Sequence, residues 1–167
     1  MKWNLVFVLA LSISVIGCNS SKNAGSDAEA KAEVIDSDTA ENLVIVSFEQ
    51  TGCFGTCPVH KMVIYQDGSA FYTAERHTKL QGAFTYQFTS EETEAFLNKA
   101  KTLGFFEMQA EYTSPITDLP TSTLFFQYGA RNHQVIAYSD YPENTQLLIE
   151  YLYSITQNTK WEKASLK

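Results

Sequence analysis

Two cysteines four residues apart, Cys53 and Cys57, stand in the segment 51–58, TGCFGTCP. Thiols at that spacing have three chemistries open to them. In an oxidising compartment they pair, and a ring this small stabilises the fold by about 2 kcal/mol through lost chain entropy. Gly52 and Gly55 are then expected to supply the positive φ angles of a tight ring, and Pro58 to fix φ as the next segment begins. Phe54 would stand at the tip. Kept reduced, the two thiolates suit a soft Cu(I) ion, with His60 or Met62 as an added ligand. A zinc site from Cys53, Cys57 and His60 would lack an obvious fourth ligand. The disulfide is the expectation, with no metal and no cofactor. Thiol-redox or copper handling through the Cys53/Cys57 loop is the alternative.

Other reactive side chains form no recognised constellation. Asp118 lies in a Pro-containing stretch, 107–122, where its carboxylate is expected to accept backbone N–H groups and shape the turn before Pro120. With Phe54, Gly55 and Pro58 it makes a candidate binding loop. A Cys–His–Asp set can be written from Cys53 or Cys57, His60 and Asp118, but only with a reduced thiol. His60 and His133 fall in expected strands and His77 near a turn. All three read as surface or core histidines. No Gly-rich phosphate loop, H-E-x-x-H or G-x-S-x-G occurs in the chain. No catalytic residue is expected, and the chain leans away from being an enzyme.

The elements that must hold the cysteine loop follow from hydrophobic alternation. Residues 43–49, LVIVSFE, are β-branched and apolar and read as a strand. Residues 59–66 read as a second and 70–75 as a third, joined at Asp67-Gly68, a pair suited to a two-residue hairpin. Residues 83–88 alternate with Phe84, Tyr86 and Phe88 on one face. Thr89-Ser-Glu-Glu92 has the form of a capping box. It opens a helix with Phe96, Leu97, Ala100 and Leu103 on one stripe, ended at Gly104. Strands at 123–128 and 133–138 flank a turn. Pro142 suits the first turn of a last helix capped by Asp140 or Tyr141, with Leu147, Leu148, Tyr151, Leu152 and Ile155 as its apolar stripe. The order ββββαββα predicts an α+β fold. About six antiparallel strands would carry two helices on one face. The other face would carry some of the rings Phe84, Tyr86, Phe88, Phe125, Phe126, Tyr128, Tyr138 and Tyr141, as a docking surface for protein or glycan.

The chain has 167 residues, room for one sizeable domain. Its formal charge of −7 lacks the positive field that attracts phosphate backbones, so nucleic acid is not an expected partner. Lys2 precedes an uncharged run, 5–16, and then Gly17-Cys18. Twelve helical residues reach about 18 Å, short of the ~30 Å hydrocarbon core, so the run reads as a signal and not a span. Val15-Ile16-Gly17-Cys18 resembles a bacterial lipobox, which implies a signal peptide over 1–17 and lipidation of Cys18. Residues 18–42 are polar and acidic, with only Val34 and Ile35 as sizeable aliphatics, and read as a flexible tether reaching about 27 Å. Residues 43–167 form the single domain.

The spacing of Cys53 and Cys57 resembles that of envelope copper chaperones of thioredoxin-like fold, with one departure. Their motif opens a helix, whose dipole lowers a thiol pKa, whereas here it leads into a strand. TGCFGTCPVHKMVIYQDG, followed by Thr117-Asp118-Leu-Pro-Thr121, is similar to an uncharacterised family of bacterial envelope lipoproteins. That domain-of-unknown-function family carries a TGC-F-G-x-C-P signature and a downstream T-D-x-P-T segment. The resemblance covers most of residues 43–161. It implies an envelope location and a single domain, and it brings no activity or substrate. Asn19, in place of Asp, after the lipidated cysteine points to the outer membrane. The expected function is a lipid-anchored, non-catalytic binding or scaffold module of the cell envelope. Its membrane contact would be the N-terminal lipid, and its partner an envelope protein or glycan.

Overall fold

The computed structural model describes residues 42–165. The expected signal peptide, Cys18 and tether lie outside the described residues, apart from Asn42.

The alternating segments pair into one eight-stranded sheet. Its strands are β1 (Val44–Gln50), β2 (Val59–Tyr65), β3 (Ser69–Arg76), β4 (Gly82–Gln87), β5 (Glu111–Tyr112), β6 (Ser122–Tyr128), β7 (Arg131–Ala137) and β8 (Glu162–Lys163). Across the sheet they run β5-β7-β6-β1-β2-β3-β4-β8. The architecture is α+β, as expected, with eight strands where about six were predicted. The two additions are the two-residue edge strands, β5 and β8. One of them breaks the antiparallel rule, because β5 pairs parallel with β7 through Glu111↔Ile136 and Tyr112↔Ala137. A helix crossing precedes β5 and delivers the chain to that edge, so no tight turn dictates its direction.

Register places one set of side chains on the helix face. Val46, Phe48, His60, Met62, Ile64, Ala70, Tyr72 and Phe84 come from the central strands and are all buried. They meet Phe96 and Ala100 of α1 (Ser90–Thr102) and Leu148, Ile149 and Leu152 of α2 (Glu143–Asn158) in one hydrophobic core. The capping box forms in full. Thr89 Oγ1 accepts the Glu92 N–H at 3.2 Å, and the Glu92 carboxylate accepts the Thr89 N–H at 2.8 Å. After Gly104 the chain makes a short 3-10 turn at Phe105–Glu107, which places Phe105 in the core. The second helix starts differently from expectation. Pro142 is itself the N-cap, in an extended conformation, and Asp140 and Tyr141 precede it.

Connectivity gives the helices their course. α1 leaves β4 at one edge and ends near β7, where Arg131 donates to the Phe106 carbonyl and His133 Nε2 lies 2.9 Å from the Met108 carbonyl. α2 makes the return crossing, from Thr145 beside Met108 to Trp161 stacked on Tyr72. The tail then adds β8 to β4.

The rings expected on the open face divide differently. Phe84, Phe88 and Phe126 are core residues, and Tyr86 and Tyr141 pack against the core. Phe125 pairs with Ser47 in the open-face register and is half-buried. The most exposed open-face ring is Phe71, which meets Tyr65 edge-on at 6.1 Å. A crevice of about 420 Å³ adjoins Phe71 between Ser69, Thr85, Gln87 and Glu162.

Candidate functional site

β1 and β2 are joined by the loop 51–58. Cys53 and Cys57 are bonded within it, with Cα atoms 5.6 Å apart, inside the ordinary disulfide range of roughly 4.4–6.8 Å. The ring projects Phe54, which is 92% exposed. The expected positive φ at Gly52 and Gly55 does not occur. Gly52 is instead a site of close approach, where a Cβ would come within 2.6 Å of the Arg76 guanidinium, while Gly55 meets only Cys53 Sγ at 3.7 Å. The ring closes with ordinary backbone angles, and smallness at Gly52 makes room for a neighbouring side chain.

A second loop, 113–121, supports the first. Thr51 N–H donates to the Thr121 carbonyl at 3.0 Å, and Thr121 N–H donates to Thr51 Oγ1 at 3.0 Å. Phe54 N–H donates to the Asp118 carbonyl at 3.5 Å. Behind this loop, Leu119 N–H donates to the Tyr138 hydroxyl at 3.4 Å and Ser114 Oγ lies 2.7 Å from Ser139 Oγ. The cysteine segment and the Thr-Asp-Leu-Pro-Thr segment therefore form one two-loop unit. Ile116 and Leu119 are 52% and 39% exposed and join Phe54 as its apolar surface.

Asp118 acts through its backbone, contrary to the expected carboxylate-centred turn. Its φ of 73° is left-handed, its carbonyl receives the Phe54 N–H, and its carboxylate accepts the Thr117 hydroxyl at 3.1 Å. The side chain stays exposed.

His60 is separated from this unit by its direction. It alternates with Met62 and Ile64 and points into the core, 2% exposed, with its ring 5.2 Å from Phe48 and 5.7 Å from both Tyr72 and Tyr153. Nε2 lies 2.9 Å from Gln50 Oε1, and Gln50 Nε2 donates to Ser122 Oγ at 3.1 Å. A Gln50 carbonyl facing the ring requires the Nε2–H tautomer, so Nδ1 is a buried acceptor without a partner. Burial pushes the imidazole pKa down to about 4. His60 is thus a neutral core residue at pH 7.

These placements decide the chemistry available. Both thiols are committed to the disulfide, His60 bonds Gln50, and Asp118 bonds Thr117, so the Cys–His–Asp arrangement is not assembled. The copper and zinc sets built on Cys53, Cys57 and His60 are not assembled either. Among the described residues no group of three or more His, Cys, Asp or Glu side chains converges as a metal site. His133 is half-buried against Phe105, and His77 is exposed at a left-handed turn. At this end of the sheet the two loops expose Phe54, Ile116 and Leu119.

Sequence reasoning missed a second feature at the same end of the sheet. Tyr72 stacks on Trp161 at 5.0 Å and 26°, and its hydroxyl is buried beside Thr156. Burial pushes the Tyr72 phenol up, with a smaller opposing effect from Thr156, so the group is a neutral hydroxyl. Tyr72 was legible as a core position from alternation, whereas its stacking partner lies 89 residues away with no pattern to announce it.

Among the described residues no helix is long and apolar enough to cross a membrane. The family model of a domain of unknown function, DUF6438, matches residues 44–156, from the first strand to within α2. The chain belongs to that family. No curated protein matches it.

Proposed function

We propose that this member of the family is a non-catalytic binding or scaffold module of the bacterial cell envelope. It is held by lipid on Cys18 and presents the two-loop unit to a partner. The carrying observation is the exposure of Phe54, Ile116 and Leu119 on loops tied by a disulfide, two inter-loop backbone hydrogen bonds and one from the Thr121 N–H to the Thr51 hydroxyl. An apolar side chain held in water gains nothing for its own fold. Rigidity lowers the entropy that binding must overcome, and a protruding aromatic is the usual anchor of an interface.

Topology supports the orientation. The domain begins at the Leu43 end of β1, and the cysteine loop begins at the other end of that seven-residue strand, about 23 Å away. The protruding end is therefore remote from the point where the expected tether joins. The partner is an envelope protein or glycan, and the outer membrane is the expected location.

The test is a photo-crosslinking residue at Phe54 in cells, with Phe71 as the comparison position. A discrete adduct at 54 that is weak at 71 is the expected result. An equal pattern at both positions overturns the assignment of the tip. Cys18→Ala should move the protein from the membrane to the soluble fraction, and retention on the membrane would remove the lipid anchor from the proposal. Copper uptake by the isolated protein, lost on Cys53→Ser, would favour the alternative of a thiol or metal role.

A further inference from the structure

Both helices pack on one face of the sheet, and the strand register lays out the other face in rows. One row runs Phe125, Ser47, Val63, Phe71 across β6, β1, β2 and β3. The next runs Thr123, Glu49, Lys61, Thr73 across the same four strands. Cross-strand partners share a face, and each of these residues adjoins a buried residue of the helix face. An antiparallel sheet that meets water on one side carries polar side chains there. The first row breaks that rule at Phe125, Val63 and Phe71, and Phe71 is 51% exposed. The second row carries charge, but as a pair, with Lys61 Nζ 3.1 Å from Glu49 Oε2. The middle of the face is therefore apolar and without net charge, in a chain of formal charge −7.

The rows also match themselves in reverse. The strand order β5-β7-β6-β1-β2-β3-β4-β8 has its midpoint between β1 and β2. A two-fold axis laid along the strands there, in the plane of contact, carries β1 onto β2 and β6 onto β3 of a second copy. Phe71 then meets Phe125 of the second copy, Val63 meets its Ser47, Thr73 meets its Thr123, and Lys61 meets its Glu49. Ring faces ring, an aliphatic side chain faces a small one, and the two ion pairs join into an alternating ring of four charges. This is the condition for an isologous contact, in which one patch complements itself. We infer that the chain forms a homodimer by packing two of these open faces together, as a sandwich of sheets about 10 Å apart.

The area suffices. The long strands β7, β6, β1, β2, β3 and β4 give a flat footprint of roughly 600–700 Å² per copy, at about 4.8 Å between strands and ~3.3 Å per residue. Two copies bury about 1,300 Å², and stable interfaces begin at about 1,200 Å². Glu75, Glu111 and Glu162 fall at the rim of the face, where charge is ordinary for an interface. The same axis keeps both Leu43 ends on one side and both cysteine loops on the other, which agrees with two lipid anchors in one membrane. The contact uses the flat of the sheet and not the loop ends, so it stands or falls apart from the proposed docking of Phe54.

The test uses the full chain in intact bacterial cells, with cysteine substituted at Thr73 and Thr123. Within one chain these positions stand three strand spacings apart, about 14 Å, beyond the roughly 7 Å Cα limit of a disulfide. Across the axis they face each other. On mild oxidation with diamide, Thr73→Cys/Thr123→Cys should give a chain-to-chain product of twice the chain's mass, and either single substitution little or none. Glu49→Lys sets a lysine against Lys61 across the axis and should lower that product about tenfold. Adding Lys61→Glu reverses the pair and should restore the product, which a misfolded variant could not do. A photo-crosslinking residue at Phe71 should likewise capture a second copy of the chain, a product distinct from the partner adduct proposed for Phe54. Equal product in the double and single variants, no product, failure of the reversal to restore it, or capture at Phe71 of a different protein or a glycan in place of the chain overturns the dimer.

Discussion

At one end of the sheet the chain turns from β2 to β3 through Gln66, Asp67 and Gly68, and at the other it passes from β1 to β2 through residues 51–58. Both connections contain glycine, and they are held by different forces. Gly68 has φ of +83°, and a Cβ there would come within 2.2 Å of the Phe88 carbonyl oxygen, a backbone atom with nowhere to go. Its N–H donates to Tyr65 and its carbonyl receives Phe88 N–H, so three strands converge on one residue. The cysteine loop has no such steric lock. Its glycines carry negative or extended φ, its nearest would-be clash is with the movable end of Arg76, and a covalent bond does the holding. The first end is specified by what cannot be changed. The second leaves the identity of its outermost side chains free, and that is where an exposed phenylalanine stands.

The largest effect is expected where this contrast is sharpest. Gly68→Ala combines a left-handed strain with a backbone clash and should cost about 3–5 kcal/mol, read as a shift of the urea midpoint at constant slope. A loss below about 1 kcal/mol would show that the hairpin relaxes and would erase the distinction between the two ends.

The next effect concerns His60, just inside the cysteine end. Its folded pKa of about 4 lies below the unfolded value, so the unfolded state takes up the proton first. Its contribution is fully present above pH 6.5 and is lost as pH falls from 6.5 to about 4, by on the order of 3 kcal/mol. His60→Leu should flatten the stability profile over that window. A wild-type imidazole that titrates near 6.5 by NMR would contradict the burial argument.

Opening the ring by Cys53→Ser/Cys57→Ser should cost about 2 kcal/mol in chemical denaturation and leave the sheet intact. Hydrogen exchange should speed up at Thr51 and Thr121 and stay unchanged at Gly68. Global unfolding would mean that the loop is structural in the same sense as the hairpin. Gly52→Ala should be the mildest change, under about 1 kcal/mol, because the Arg76 side chain can swing aside. A loss as large as that at Gly68 would refute the comparison.

Much of the sheet was readable because buried strands alternate. Phe84, Tyr86 and Phe88, or Leu124 and Phe126, announce a face by their spacing alone, and Thr89 with Glu92 announces a helix start. Glu111-Tyr112 and Glu162-Lys163 announce nothing. Such two-residue strands gain their place from a neighbour's unpaired backbone, a property of the partner, with Tyr112 also packing against the core. The hairpin at Asp67-Gly68 was expected as a two-residue turn and is a three-residue one, with the left-handed residue at Gly68 alone. The cysteine loop was legible as a ring. Its seat on residues 113–121 was not, since a contact between Phe54 and Asp118 spans 64 residues and leaves no period to read. His60 carried a signal that alternation supplies, in step with Met62 and Ile64. The stack of Trp161 on Tyr72 carried none, because it joins the tail to a central strand.

The brevity of the two outermost strands bears on life at high density. A long bare strand at a sheet margin offers a template on which further copies can add, and runaway fibres begin there. Here each margin is finished by two residues, and Glu111, Glu162 and Lys163 are among them. Each border covers two residues of the longer strand beside it, Ile136 and Ala137 of β7 and Phe84 and Thr85 of β4, and so shortens the stretch left open to an incoming chain while setting charge next to it.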